Sequence, residues 1–198
     1  MKLRPFKLEE CELFYKSNHV NMSRYDIVQS YMILGGIPYY MRYMKKELSL
    51  AQNLDNLFFA EDSKLRGEYD RLFASIFTNP EEMKRIVEIL ATRHSGFTRK
   101  ELIGKAKLKD SGAVTKMLNA LITSDFIQSY VPFGKSKRDT RYKLCDNFCL
   151  FYLKFVQGRT ELDPEFWMHN VTAPAVNSWR GIAFEEVCVN HVTQIQAE

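Results

Sequence analysis

Between Glu81 and Leu144 the hydrophobic period of the chain changes from helical to alternating, and that stretch organises the rest. Met83, Ile86, Val87 and Leu90 recur at i, i+3, i+4 and i+7, one face of a helix. Asn79-Pro80-Glu81-Glu82 opens it, with an early proline and two acids that complement the amino-terminal dipole. Gly96 ends the connection that follows, and Thr98 is placed to cap a short second helix holding Leu102 and Ile103. Asp110 or Ser111 caps a third, whose apolar positions are Val114, Met117, Leu118 and Leu121. Phe126 to Phe133 is rich in β-favouring residues, Gly134 to Thr140 is a polar, basic turn, and a return strand passes through Tyr142 and Leu144. Three helices and a two-stranded ribbon are the elements of a winged helix-turn-helix.

Upstream the period is helical throughout. Leu8, Cys11 and Tyr15 share a stripe in a helix that follows Pro5 and Phe6. A linker from Ser17 to Ser23 leads to a second helix, with Ser23 as N-cap and Ile27, Val28, Tyr31 and Met32 as a buried stripe. Gly35-Gly36 stops it. Pro38 fits the first turn of the next helix, where a missing N–H costs nothing, and that helix carries Ile37, Tyr40, Met41 and Met44. From Ala51 to Phe77 two more helices have Leu54, Leu57 and Phe58, then Tyr69, Leu72, Phe73, Ile76 and Phe77, as packing faces. The charged stretch from Glu61 to Tyr69 reads as a solvated helix face. Downstream of the ribbon, Asp146 to Phe155 is a dense apolar helix capped by Asp146 or Asn147. A last segment runs through Trp179 to Cys188 after Gly158 and Pro164.

A chain of 198 residues with 45% hydrophobic content is long enough for one or two domains with a sizeable core. Its four cysteines are too scattered for a disulfide framework. Cys145 and Cys149 lie four apart but lack partner ligands nearby, and read as buried thiols rather than a metal site. No stretch approaches the roughly 20 apolar residues of a membrane span, and no signal peptide opens the chain. A soluble, cytoplasmic protein with no membrane partner is expected.

The net charge of +4 carries no nucleic-acid argument, but its distribution does. From Phe97 to Lys143 eleven basic residues stand against four acids, a net of +7, which leaves the remainder at −3. Arg99, Lys100 and Lys105 fall on the second helix, Lys116 at the start of the third, and Lys135, Lys137, Arg138 and Arg141 on the ribbon. These are the places where a winged helix meets phosphates. The third helix turns Thr115, Lys116 and Asn119 outward and offers no arginine, so contact with the backbone of double-stranded DNA is expected rather than bidentate reading of guanine. The same lysines would also keep a protein-interaction module in solution.

Several runs resemble a known family. Leu3-Arg4-Pro5-Phe6 followed by Glu10, and Tyr31-Met32-Ile33-Leu34-Gly35-Gly36-Ile37-Pro38-Tyr39-Tyr40-Met41, look like the lid region of the archaeal-type ATPases, P-loop proteins of the AAA+ and STAND group. Asp146-Asn147-Phe148 with Phe151-Tyr152 resembles the segment that follows the wing in that family. Gly181-Ile182-Ala183-Phe184-Glu185 resembles the helix that opens its restriction-endonuclease-like domain. The resemblance implies ATP and magnesium as cofactors of the complete family, with Gly36 and Pro38 near the adenine, and Glu185 as the first acid of a metal-dependent nuclease site. The chain departs from the pattern in two places. It contains no Gly-x-x-x-x-Gly-Lys-[Ser/Thr] to cradle phosphates, and no Asp followed by Glu-x-Lys completes the magnesium site.

The expected fold class is therefore mainly α, a helical ATPase-lid-like segment followed by a winged helix-turn-helix and a truncated terminal segment. The expected boundaries are 1–78 for the lid-like domain, 79–157 for the winged helix and 158–198 for the start of a nuclease-like domain. The expected function is that of a non-catalytic carboxy-terminal fragment of an archaeal-type ATPase, binding no cofactor itself and contacting DNA through the wing. The alternative is a protein-interaction module that docks onto a separate P-loop core or another partner. A transcription regulator using the winged helix alone is disfavoured, because no dimerisation helix is evident.

Overall fold

The computed structural model describes residues 4–159 and 163–197. In chain order these hold α1 (Leu8–Ser17), α2 (Arg24–Leu34), α3 (Pro38–Met41), α4 (Leu50–Phe58), α5 (Glu68–Ile76), α6 (Pro80–Ala91), β1 (Phe97–Thr98), α7 (Arg99–Ala106), α8 (Gly112–Thr123) and β2 (Ile127–Tyr130). A 3-10 turn (Lys137–Asp139), β3 (Arg141–Leu144), α9 (Asn147–Phe155), α10 (Phe166–Asn170), α11 (Pro174–Asn190) and α12 (Val192–Ile195) follow. The protein is mainly helical, with one small sheet. Among the described residues no helix is long and apolar enough to cross a membrane.

Two compact units divide the chain, and the division does not follow chain order. One joins Met1–Glu68 to Phe155–Glu198; the other is the continuous stretch Tyr69–Lys154. The segment from Phe155 onward groups with the first helices.

In the first unit α2 is the central helix. The sequence gives it one apolar stripe, yet Gln29 and Ser30 are buried as well, because α1 and α11 both pack against it. The buried polar atoms are satisfied: the Ser30 and Tyr15 hydroxyls lie 2.6 Å apart, and Gln29 Oε1 accepts from Arg180 Nε at 2.9 Å. Ser23 caps α2 by accepting from Asp26 N at 3.1 Å, and Gly35 ends it in the left-handed region at φ +64. The returning tail is fastened at two helix starts. The buried Asp55 carboxylate accepts from Trp167 N at 2.6 Å and Met168 N at 3.1 Å, meeting the orphan N–H groups that open α10. Burial outweighs these bonds and pushes the Asp55 carboxyl above its ordinary value. His191 Nε2 accepts from Leu8 N at 3.0 Å while Nδ1 lies 2.7 Å from the Val187 carbonyl oxygen. That pair of bonds fixes the neutral tautomer with its proton on Nδ1. Phe155, Trp167 and Trp179 meet edge to face, with ring centroids 5.4 to 6.0 Å apart.

The second unit runs helix, helix, strand, helix, helix, strand, strand, helix. Its sheet has the order β1-β3-β2, antiparallel throughout, with Phe97 opposite Tyr142 and Ile127 opposite Leu144. The expected ribbon is β2 with β3. The additional strand β1 is two residues long, too short to leave an alternating pattern in the sequence. Phe73, Phe77 and Phe126 pack together, and Tyr69 stacks on Tyr152 with centroids 5.1 Å apart. Ile76, read as a packing residue, is exposed.

Candidate nucleic-acid interface

The basic stretch is built on three supports. The first is the start of α7. Thr98 accepts from Glu101 N, and the Glu101 carboxylate accepts from Thr98 N at 2.7 Å and Thr98 Oγ1 at 2.9 Å, a reciprocal capping box. The Thr98 N–H and the Arg93 guanidinium, 2.9 Å away, hold the Glu101 carboxyl down at about 2. The second is the corner between α7 and α8. Ser111 at the head of α8 makes no capping bond through its side chain, and Arg99 supplies the fastening. Its Nη2 donates to Asp110 Oδ1 at 2.7 Å and to Ser111 O at 3.2 Å. The third is the foot of the ribbon, where Arg141 Nη1 donates to Gly96 O at 3.2 Å and Tyr130 Oη donates to Ser95 O at 2.8 Å.

These supports divide the eight basic residues picked from the sequence. Arg99 and Arg141 are half-buried and bonded within the unit, so they hold the frame. Lys100, Lys105, Lys116, Lys135, Lys137 and Arg138 are exposed. Lys105 Nζ lies 5.4 Å from the centre of the Phe97 ring. Two exposed lysines not singled out from the sequence, Lys107 and Lys109, sit in the α7–α8 corner. Lys107 there takes a left-handed conformation at φ +52, which no spacing rule announces. Lys143, part of the same basic balance, is buried on β3. The outward positions of α8 are Gly112, Ala113, Thr115, Lys116, Asn119 and Thr123, small or polar side chains with one cation.

In the β2–β3 loop Ser136 N and Ser136 Oγ each donate to Asp139 Oδ2 at 3.0 Å, which orders the 3-10 turn carrying Lys137 and Arg138. The Ser136 N–H bond, with the nearby cations, lowers the Asp139 carboxyl below its ordinary value. Loop charge is thereby presented from a bonded backbone.

The remaining candidates are in the first unit. Phe6 N donates to Gly36 O at 2.8 Å, and a Cβ on Gly36 would lie 2.4 Å from the Phe6 carbonyl oxygen, at a φ of +69. The Pro-Phe and Gly-Gly-Ile-Pro runs thus meet through their backbones, which gives a folding reason for a glycine at 36. The gap beside it, lined by Cys11, Tyr31, Leu34 and Met41, is too narrow for a water molecule. Pro38 is half-buried at the first position of α3. Glu185 is on the exposed side of α11. All four cysteines are free thiols, and burial drives that of Cys149 well above its ordinary value.

The chain is 28% identical to an uncharacterized protein of the archaeon Methanocaldococcus jannaschii over 98% of its own length, and spans 43% of that relative. No protein-family model and no solved structure matches it.

Proposed function

We propose that this chain is a non-catalytic part of an archaeal-type ATPase, in which residues 69–154 are a winged helix that holds the backbone of double-stranded DNA. The observation that carries the reading is the pairing of topology with charge. The strand order β1-β3-β2, with α7 and α8 between β1 and β2, sets six exposed cations on α7, on the first half of α8 and on the loop joining β2 to β3. The outward face of α8 favours phosphate and sugar contact over base reading, since it carries no arginine. The archaeal relative, more than twice as long as the stretch it shares, is in line with a chain that is one portion of a larger protein.

At Gly36 the close Phe6 backbone gives the glycine a packing reason of its own, beside the adenine contact that the resemblance implies. No nucleotide step is assigned to this chain, and Glu185 has no assigned role without the other acids of a nuclease site.

Gel-shift titration of duplex DNA against salt tests the reading. Neutralising about four phosphates gives a slope of log affinity on log salt of roughly −3.6. Changing Lys135, Lys137 and Arg138 to alanine should flatten it by about 0.9 for each cation in contact. A flat response in the unaltered chain, or no shift at low salt, would remove the proposal. The second reading, docking onto a protein partner, draws on the apolar residues Phe184, Val189, Val192 and Ile195, which α11 and α12 leave about half exposed. It predicts no duplex shift at any salt concentration.

A further inference from the structure

Charge does not account for the tip of the β2–β3 loop. Phe133 is as exposed as a side chain can be, at 106%, and Val131 is 41% exposed beside it. The tip is ordered by its own backbone. Lys135 N donates to Pro132 O at 3.0 Å, closing a turn over Pro132-Phe133-Gly134-Lys135, and Gly134 in its third position has φ +73. An i to i+3 bond with positive φ at the third residue is a type II turn, which seats glycine there and leaves Phe133 at the second, projecting position. Nothing would lie within 4 Å of a Cβ on Gly134, so the tip stands clear of the rest of the unit. Lys135, Lys137 and Arg138 follow at once, all exposed.

The arrangement is an apolar point with cations set immediately behind it. Its complement is a surface that is anionic outside and apolar within. Duplex DNA has that layering, with phosphates over stacked bases; so has an anionic lipid surface. The same unit exposes three more cations, Lys100 and Lys105 on α7 and Lys116 on α8, which a loop dipping alone into lipid would not use, and this favours the duplex. A minor groove about 6 Å across cannot admit a helix about 10–12 Å wide, which leaves the projecting loop tip as the element to enter it.

We propose that Phe133 is a wedge that enters the minor groove of double-stranded DNA and slips between two base pairs, while Lys135, Lys137 and Arg138 hold the flanking phosphates. The inference rests on the DNA reading above. Insertion unstacks one step and bends the duplex, and it is least costly at flexible pyrimidine-purine steps such as TA. It also separates two contributions to affinity: the cations supply the salt-dependent part and Phe133 a part that salt does not change.

The test uses the whole 198-residue chain and a duplex of repeated TA steps containing 2-aminopurine, whose fluorescence rises on unstacking. Unaltered protein should raise that fluorescence. Phe133→Ala should abolish the rise and weaken binding by about ten-fold at every salt concentration with the slope unchanged, as loss of one stacked aromatic does. Phe133→Trp should restore both. Changing Lys135, Lys137 and Arg138 to alanine should flatten the slope instead. If Phe133→Ala binds and reports as the unaltered chain does, the wedge is refuted and the DNA reading stands. Absence of duplex binding by the unaltered chain refutes both. Binding of anionic phospholipid vesicles through Phe133, with no change in 2-aminopurine signal, assigns the tip to lipid and overturns the inference.

Discussion

Gly96 and Gly134 share a backbone conformation, φ +66 and +73, and differ in what surrounds them. At Gly134 a methyl group would meet nothing within 4 Å, so Gly134→Ala should cost only the left-handed conformation, about 1–2 kcal/mol. At Gly96 the same methyl would lie 2.0 Å from the Tyr142 carbonyl oxygen and 2.7 Å from its carbon, so β3 must move. Gly96→Ala should therefore cost about 2–5 kcal/mol, conformation and overpacking together. Amide exchange in α6 and β3 reads the difference; equal costs at the two sites would mean that β3 gives way freely. The sequence marks both glycines as punctuation. It cannot separate them, because the atom that excludes a side chain at 96 belongs to a residue 46 positions later.

Local chemistry makes elements legible, and distant chemistry does not. Thr98 is readable as a cap because its partner Glu101 is three residues away, and Ser23 because Asp26 is. The periods of α6 and α8 place them, with their buried faces, from the sequence alone. The fastening of the tail leaves no such mark. Asp55 reaches Trp167, Gln29 reaches Arg180, and His191 reaches Leu8 across 183 residues. For the same reason α2 reads as amphipathic and is in fact buried on most sides, and no local pattern announces that α11 packs on α2 and α10 on α4. The His191 contact predicts a pH response. Desolvation lowers its folded-state value, with Lys7 adding to that effect and the Val187 bond opposing it; the Tyr31 ring lies edge-on at 5.0 Å. A histidine lowered in the folded state binds fewer protons there than when unfolded. Its stabilisation is complete above the ordinary value, about 6.5, and is lost as pH falls through the lowered one. Protonation of Nε2 also removes the acceptor for Leu8 N–H. Both tryptophans lie in this unit, so their emission should report an acid-induced loosening of it beginning below about pH 6.5. Replacing His191 by glutamine should remove the response in that window; an unchanged profile would exclude His191 as its source.

At the scale of the whole molecule, charge and continuity divide the chain the same way. Tyr69–Lys154 holds sixteen basic residues and nine acids, a net of +7, while the discontinuous unit is net −3. The basic unit closes on one uninterrupted length of chain, with Phe73, Phe77 and Phe126 in its own core. The acidic unit closes only when residues after 154 return to it. Ending the chain at Lys154 removes Phe155, Trp167 and Trp179, and takes away α11, which packs on α2, and α10, which packs on α4. Losing several such contacts at once exceeds the stability of a unit this size, since each large apolar side chain uncovered costs about 1.5–3 kcal/mol. The shortened chain should therefore lose amide protection in α2 and α4 while α6 and α8 keep theirs, and on the DNA reading proposed above its duplex shift should keep the salt dependence of the full chain. Loss of protection in α8 would show that the two units fold as one cooperative body, with the tail, though remote in sequence, among the determinants of the basic unit's stability.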